Sequence, residues 1–244
     1  LFVALGPGYR ESEAQALGAQ VASEMNAWWT ERIATEFRLD SYLELEFETC
    51  YLKFLMPTIR GSSKGTKKRY AGLLRRPGGD CEVVFKGLES VRTDWTPLAR
   101  RFQRELYRRV FFGEPYRDYV FQTARALMAG EIDEELVYRK RLRKGIDEYV
   151  KNVPPQVQAA RKIPGFQGST VHYVITRHGP EPVQVRQSGI DYVHYLEHQL
   201  APVADGILAF LGTSFDEIVD PQLWLFDQRA YLRPNIDTSK GSRR

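Results

Sequence analysis

The sequence predicts an α+β fold, with an antiparallel sheet in about the first 90 residues and a mainly helical part after it. Three observations predict it. Tyr42–Glu48 alternates apolar and charged residues with a period of two. Two β-rich runs, Lys67–Leu74 and Glu82–Phe85, flank the turn sequence Pro77-Gly78-Gly79-Asp80. Beyond residue 96, apolar residues recur at helical spacing, which places a boundary near residue 90.

The elements follow in order. Leu1-Phe2-Val3-Ala4-Leu5-Gly6-Pro7 lacks the basic flank and long apolar run of a signal peptide, and reads as a strand entering a turn. Ser12–Phe37 reads as a helix capped by Ser12, with Leu17, Val21, Met25 and Trp28 as its apolar stripe. The alternating segment 42–48 reads as a strand, and Arg60–Thr66 as a turn-rich loop before the paired strands. Thr96-Pro97 opens a helix to Phe112, and Pro115–Met128 forms another. Val137–Leu142 is extended, and a proline-bounded helix runs from Pro155 to about Lys162. Val171–Thr176 is β-like, and Gly179-Pro180-Glu181-Pro182 is read as breaking it. A long helix from Asp191 to Leu211 carries Tyr192, Tyr195, Leu196, Gln199 and Leu200 on one side.

Composition excludes several classes. The chain has 244 residues, of which 43% are hydrophobic, enough to bury a core and unlike a disordered segment. No apolar run nears the ~18 residues of a membrane-spanning helix. Cys50 and Cys81 lack metal-ligand spacing, so a reduced, cytoplasmic protein is expected. The net charge of +4 is unevenly distributed. Residues 1–50 hold 3 basic against 9 acidic side chains, whereas residues 51–162 hold 25 against 13. A positive block of this kind suits a polyanion, because phosphate neutralisation releases counterions, and it equally suits a solubilising surface.

Arg60–Arg76 holds seven lysines or arginines and no acid. On a strand, Lys68 and Tyr70 share one face while Lys67 and Arg69 share the other. Such a strand can meet phosphates and a minor groove, or serve as a lysine-protected sheet edge. Glu44, Glu46 and Glu48 would form either a carboxylate wall near a metal or the wet face of an amphipathic strand. Arg101, Arg104 and Arg108 line one side of a helix, and Arg139, Lys140, Arg141, Arg143 and Lys144 form another dense group. With the Arg60–Arg76 segment, they favour a phosphate-lined groove. No phosphate-binding glycine loop, nucleophile turn or zinc helix is present. His172, His178, His194 and His198 are expected to be surface or packing histidines, without a metal.

Leu43-Glu44-Leu45-Glu46-Phe47-Glu48, Lys67-Lys68-Arg69-Tyr70-Ala71-Gly72 and Phe85-Lys86-Gly87-Leu88-Glu89-Ser90-Val91-Arg92 occur in the order found in family B DNA polymerases. Phe54–Gly61, Arg92–Ala99, Val137–Leu142, Asn152–Pro155 and Gly179–Pro182 tighten the resemblance to the bacterial branch of that family. The resemblance implies the C-terminal part of a polymerase palm at 1–90, a thumb at 91–226 and a flexible tail at 227–244. It implies contact with primer–template DNA through Lys67, Lys68, Arg69, Tyr70, Lys86, Arg92, Arg139 and Lys140. Glu46 and Glu48 would lie near the active site. The family's metal-binding aspartates belong to an aspartate-x-x-serine-leucine-tyrosine-proline motif and an aspartate-threonine-aspartate hairpin. Neither motif occurs in this sequence. Mg2+ is therefore expected in the intact enzyme and not on this chain, which needs the missing polymerase domains as partners and is expected to be inactive alone. Gln222-Leu223-Trp224-Leu225-Phe226 resembles the pentapeptide that binds the bacterial sliding clamp; the same apolar residues could instead close the core. A free-standing clamp-binding module and an enzyme active in its own right remain the rival readings.

Overall fold

In the computed structural model, the described residues are 2–6, 8–57, 68–151 and 153–219. They form a mixed fold of helices and two three-stranded sheets, and the chain divides into two compact units. One unit holds residues 1–54 and 72–84, the other residues 55–71 and 85–244. No helix among the described residues is long and apolar enough to cross a membrane.

The first unit is built around α1, Glu11–Phe37, which ends at Arg38 in the left-handed conformation with φ 56°. Leu17, Val21 and Met25 are half-buried as the periodicity predicts, but Trp28 is exposed and Trp29 takes its place on the stripe. Segment 42–48 is not a strand. Strands need a ladder partner, and here the Asn26 side chain substitutes for one: its amide donates to Leu45 O at 2.9 Å and accepts from Leu45 N at 2.8 Å. Gly18 makes room for the neighbouring Phe47 ring, which a Cβ would meet at 2.3 Å. Nor is Phe2–Gly6 a strand; Phe2 packs on Phe54 with ring centroids 4.8 Å apart and planes tilted by 38°. Cys50 and Cys81 are both free thiols.

The first sheet has the order β1-β2-β3, formed by Lys53–Leu55, Tyr70–Arg75 and Cys81–Lys86. The expected hairpin is present, its turn closed by Arg76 N to Asp80 O at 2.8 Å and Gly79 N to Arg76 O at 2.9 Å. The short β1 is too brief to show periodicity and was not foreseen.

The second unit carries most of the core. α2, Pro97–Phe112, starts where Thr96 Oγ1 accepts from Ala99 N and ends at Gly113, whose φ of +71° suits a residue without Cβ. It buries Leu98, Phe102, Leu106 and Tyr107 completely. α3, Arg117–Met128, adds Val120, Ala124 and Leu127 to the same core. The second sheet is antiparallel with order β4-β5-β6, formed by Tyr138–Arg141, Thr170–Thr176 and Gly179–Pro182. The proline-rich segment expected to break β5 is thus its returning partner. Prolines are tolerated there because β6 lies at an edge of the sheet. α4, Pro155–Arg161, packs against β5 and β6.

The long C-terminal helix is continuous but not uniform. It comprises α5, Tyr192–Tyr195, a π-helical turn, Leu196–Leu200, and α6, Ala201–Leu208. Pro202 has no N–H for the carbonyl of His198, and Gln199 Nε2 donates to that carbonyl at 3.1 Å instead. Gln199 Oε1 in turn accepts from Thr96 Oγ1 at 3.0 Å, joining this helix to the start of α2. α7, Phe215–Ile218, begins at Ser214, whose side chain accepts from Glu217 N.

Glu181 on β6 is only 6% exposed. It accepts from Gln187 N at 2.9 Å, Ser188 N at 3.0 Å and Ser188 Oγ at 2.7 Å, so one carboxylate holds the loop after β6. The Gln187 N–H and the Ser188 hydroxyl hold its pKa at about 2 against the opposing cost of burial. A depressed carboxylate contributes stability that is complete above its unfolded value of about 4.5 and lost as the pH falls toward about 2. Glu181→Gln is expected to cost about 2 kcal/mol at pH 7 in urea unfolding. Its stability should also fall less steeply than that of the wild type between pH 4.5 and 2.

Candidate nucleic-acid interface

The sequence-predicted cations in the second unit come from three segments, and local geometry sorts them. In β4, Arg139 lies opposite His172 on one face of the sheet, while Lys140 lies opposite Val171 on the other. Arg139 is exposed, and Lys140 reaches Asp94 with Nζ at 3.1 Å. Although adjacent in sequence, Arg139 and Lys140 therefore serve different surfaces.

Lys68 and Arg69 run beside Gly87, whose φ is +63° and whose added Cβ would lie 2.3 Å from Lys68 O. Only glycine allows that approach of backbone to backbone. Lys68 and Lys86 are both exposed. Arg69 turns the other way and donates to Glu89, a carboxylate only 6% exposed. Gln103 Nε2 donates to the second oxygen of Glu89 at 2.7 Å, and its own Oε1 accepts from Ser90 N at 2.7 Å. Burial, followed by the nearby charge of Arg92, lowers the pKa of Arg69. Tyr70 is half-buried.

Arg92 and Asp94 form a bidentate pair, with Nε to Oδ1 at 2.9 Å and Nη2 to Oδ2 at 2.7 Å. The Arg92 guanidinium, with Lys140 beside it, holds Asp94 at about 2 against the opposing effect of burial. Burial, and after it the Asp94 charge, pushes Tyr173 up to about 12. Arg69, Arg92 and Lys140 are thus drawn together with Glu89 and Asp94, while Lys68, Lys86 and Arg139 form no ion pair among the described residues.

Other predicted groups are not brought to this region. The arginines of α2 are engaged internally: Arg101 with Glu135 at 2.8 Å, Arg104 with Ser90 O at 3.1 Å, and Arg108 with Glu105 and Glu114. They brace the fold. His194 and His198 meet edge to face with centroids 4.8 Å apart, and Tyr138 hydroxyl lies 3.2 Å from His194 Nε2. Burial and the His198 charge lower the His194 pKa, as suits a packing histidine. Glu46 and Glu48 are exposed, and no group of three or more carboxylate, histidine or cysteine side chains among the described residues could hold a metal ion. Lys67 and Gln222–Phe226 lie outside the described residues.

Asp94, Glu89 and Gln103 are the members of the cluster that sequence reasoning did not select. A usable signal exists for Asp94: it follows Arg92 by two residues, close enough for the two side chains to meet across the turn at residues 93–94. Glu89 and Gln103, 14 residues apart, become partners only on folding.

Arg69, Arg92 and Lys140 are thus each held by a buried or half-buried acid. Residues 15–211 match the family model described as DNA polymerase family B, and the chain belongs to that family. It is 50% identical over 236 residues to DNA polymerase II of Escherichia coli strain K12, covering 92% of this chain and 30% of that protein. It is 30% identical over 216 residues to the DNA polymerase delta catalytic subunit of Bos taurus, covering 78% of this chain and 18% of that protein. The chain thus spans less than a third of the length of these curated relatives. A solved family B DNA polymerase from Pyrobaculum calidifontis aligns with a TM-score of 0.49 and 26% identity, over 78% of this chain and 25% of that one.

Neighbouring cations are expected to behave oppositely. Arg69→Ala leaves the Glu89 carboxylate short of a partner; with Arg69 36% exposed, solvent limits the loss to about 1–2 kcal/mol. Lys68→Ala should alter stability by less than about 0.5 kcal/mol. Chemical denaturation of the two variants distinguishes the bracing cation from the exposed one.

Proposed function

We propose that this chain holds primer–template duplex during template-directed DNA synthesis and repair, as part of a DNA-directed DNA polymerase. The presence in one unit of a family B chain of exposed Lys68 and Lys86 and of the Asp94-linked pair Arg92 and Lys140 is the observation that supports the reading. Tyr70, one residue beyond Arg69, is the proposed minor-groove contact, and Arg139 a phosphate contact on the other face of β4. Most of the contacts are to phosphate, so binding is largely independent of sequence and steeply salt-dependent. In this reading residues 1–90 are the end of the palm and 91–226 the thumb. Mg2+ and the nucleotidyl-transfer chemistry belong with residues outside this chain. Glu46 and Glu48 would stand near that chemistry without holding the metal. The place of work is the cytoplasm, at the nucleoid.

Fluorescence anisotropy of a labelled primer–template across a salt series tests the reading. The wild type should bind tightly at low salt, and Lys68→Ala and Tyr70→Ala should each weaken it roughly tenfold. Well-folded protein that ignores duplex at low salt would overturn it. No primer extension is expected from the chain alone, even with Mg2+ and nucleotides.

Gln222-Leu223-Trp224-Leu225-Phe226 supports a second contact, with a bacterial sliding clamp: apolar anchors behind a polar first residue suit a preformed groove. Leu225→Ala and Phe226→Ala should abolish clamp binding in calorimetry while leaving duplex affinity intact. Clamp binding without duplex binding would favour a free-standing interaction module.

A further inference from the structure

Asp94 lies two residues beyond Arg92 and 46 residues before Lys140 in the chain, and its carboxylate meets both. Three donors converge on its two oxygens: Arg92 Nε at 2.9 Å, Arg92 Nη2 at 2.7 Å and Lys140 Nζ at 3.1 Å. The guanidinium is planar, so binding through the Nε–Nη2 edge turns its end-on edge away from the carboxylate. That end-on edge carries one Nη1 proton and the second Nη2 proton, and Lys140 Nζ retains protons that Asp94 does not use. Both side chains reach solvent, at 48% and 29% exposure. Two cations so close repel unless an anion lies between them, and the Arg69 charge adds to the repulsion on Arg92.

We infer that Asp94 is a positioning residue that gathers Arg92 and Lys140 into one donor fork for a phosphate of the bound duplex. The inference rests on the duplex-holding reading above. The end-on edge of Arg92 presents paired N–H groups at the spacing of phosphate oxygens, and Lys140 supplies a point charge beside it. Asp94 touches no phosphate itself; it holds the donors apart from one another and pointed outward.

The sign of one substitution separates positioning from simple neutralisation. Asp94→Asn raises the net charge by one, so charge alone would tighten DNA binding and steepen its salt slope by about 1. Loss of positioning acts in the opposite direction. Anisotropy of a labelled primer–template is measured with the full 244-residue chain over a KCl series, for wild type, Asp94→Asn and Asp94→Glu. Asp94→Asn is expected to weaken binding roughly tenfold, the loss of one charge-assisted contact, and Asp94→Glu to restore most of it. The salt slope of Asp94→Asn should become shallower by about 1. Arg92→Gln and Lys140→Gln, singly and together, leave Asp94 in place and guard against a variant that fails to fold. Their losses should be non-additive, as for two arms of one fork. Wild-type binding with equal or tighter binding by folded Asp94→Asn overturns the inference alone, as do strictly additive losses at Arg92 and Lys140. Absence of wild-type binding overturns the duplex-holding reading and this inference with it.

Discussion

The carboxylate of Glu89 is the constraint on which the second unit depends. A charge 6% exposed has given up most of its hydration, a cost of several kcal/mol unless partners replace it. Arg69 supplies the countercharge and Gln103 a hydrogen bond, and Gln103 then secures the backbone N–H of Ser90. The entry to β2, the turn at residues 89–91 and the middle of α2 are therefore fixed to one another. Networks of this kind lose much of their value when one member is missing, since the remaining polar atoms stay buried. Gly87 adds a steric condition to the same junction by letting the Lys68 backbone approach.

That junction turns Arg69 inward while its neighbour Lys68 faces solvent. The excess positive charge of residues 51–162 is not a uniform coat: the α2 arginines are tied to Glu135, Ser90, Glu105 and Glu114. Lys68, Lys86 and Arg139 are among the exposed cations that no internal acid holds, beside the Asp94-held pair. The helix that starts at Tyr192 is joined to the start of α2. Its π turn, adopted where Pro202 denies a donor, aims Gln199 at Thr96, the cap of α2.

Much of the architecture is legible locally. Thr96 and Pro97 announce α2, Gly113 ends it, and the Pro77–Asp80 turn joins two strands as its composition suggests. Local signals mislead where a segment's state depends on a distant partner. The 42–48 alternation is a sound strand pattern, yet Asn26 takes the Leu45 backbone groups that a ladder would use. Gly179–Pro182 carries strand-breaking residues, yet it pairs with β5, because an edge position demands fewer donors.

The sequence by itself determined the family, through ordered motifs spread over most of the chain, and with it the candidate cations and the mixed helix-and-sheet class. Only the tertiary structure decided what each cation does. Arg69 braces Glu89 while Lys68 faces solvent, and Arg139 and Lys140 are assigned to opposite faces of β4. Lys140 joins Arg92 through an acid 46 residues away. The physical reason is that charge is a property of a residue, whereas its partner and its exposure belong to the packing of segments far apart in the chain.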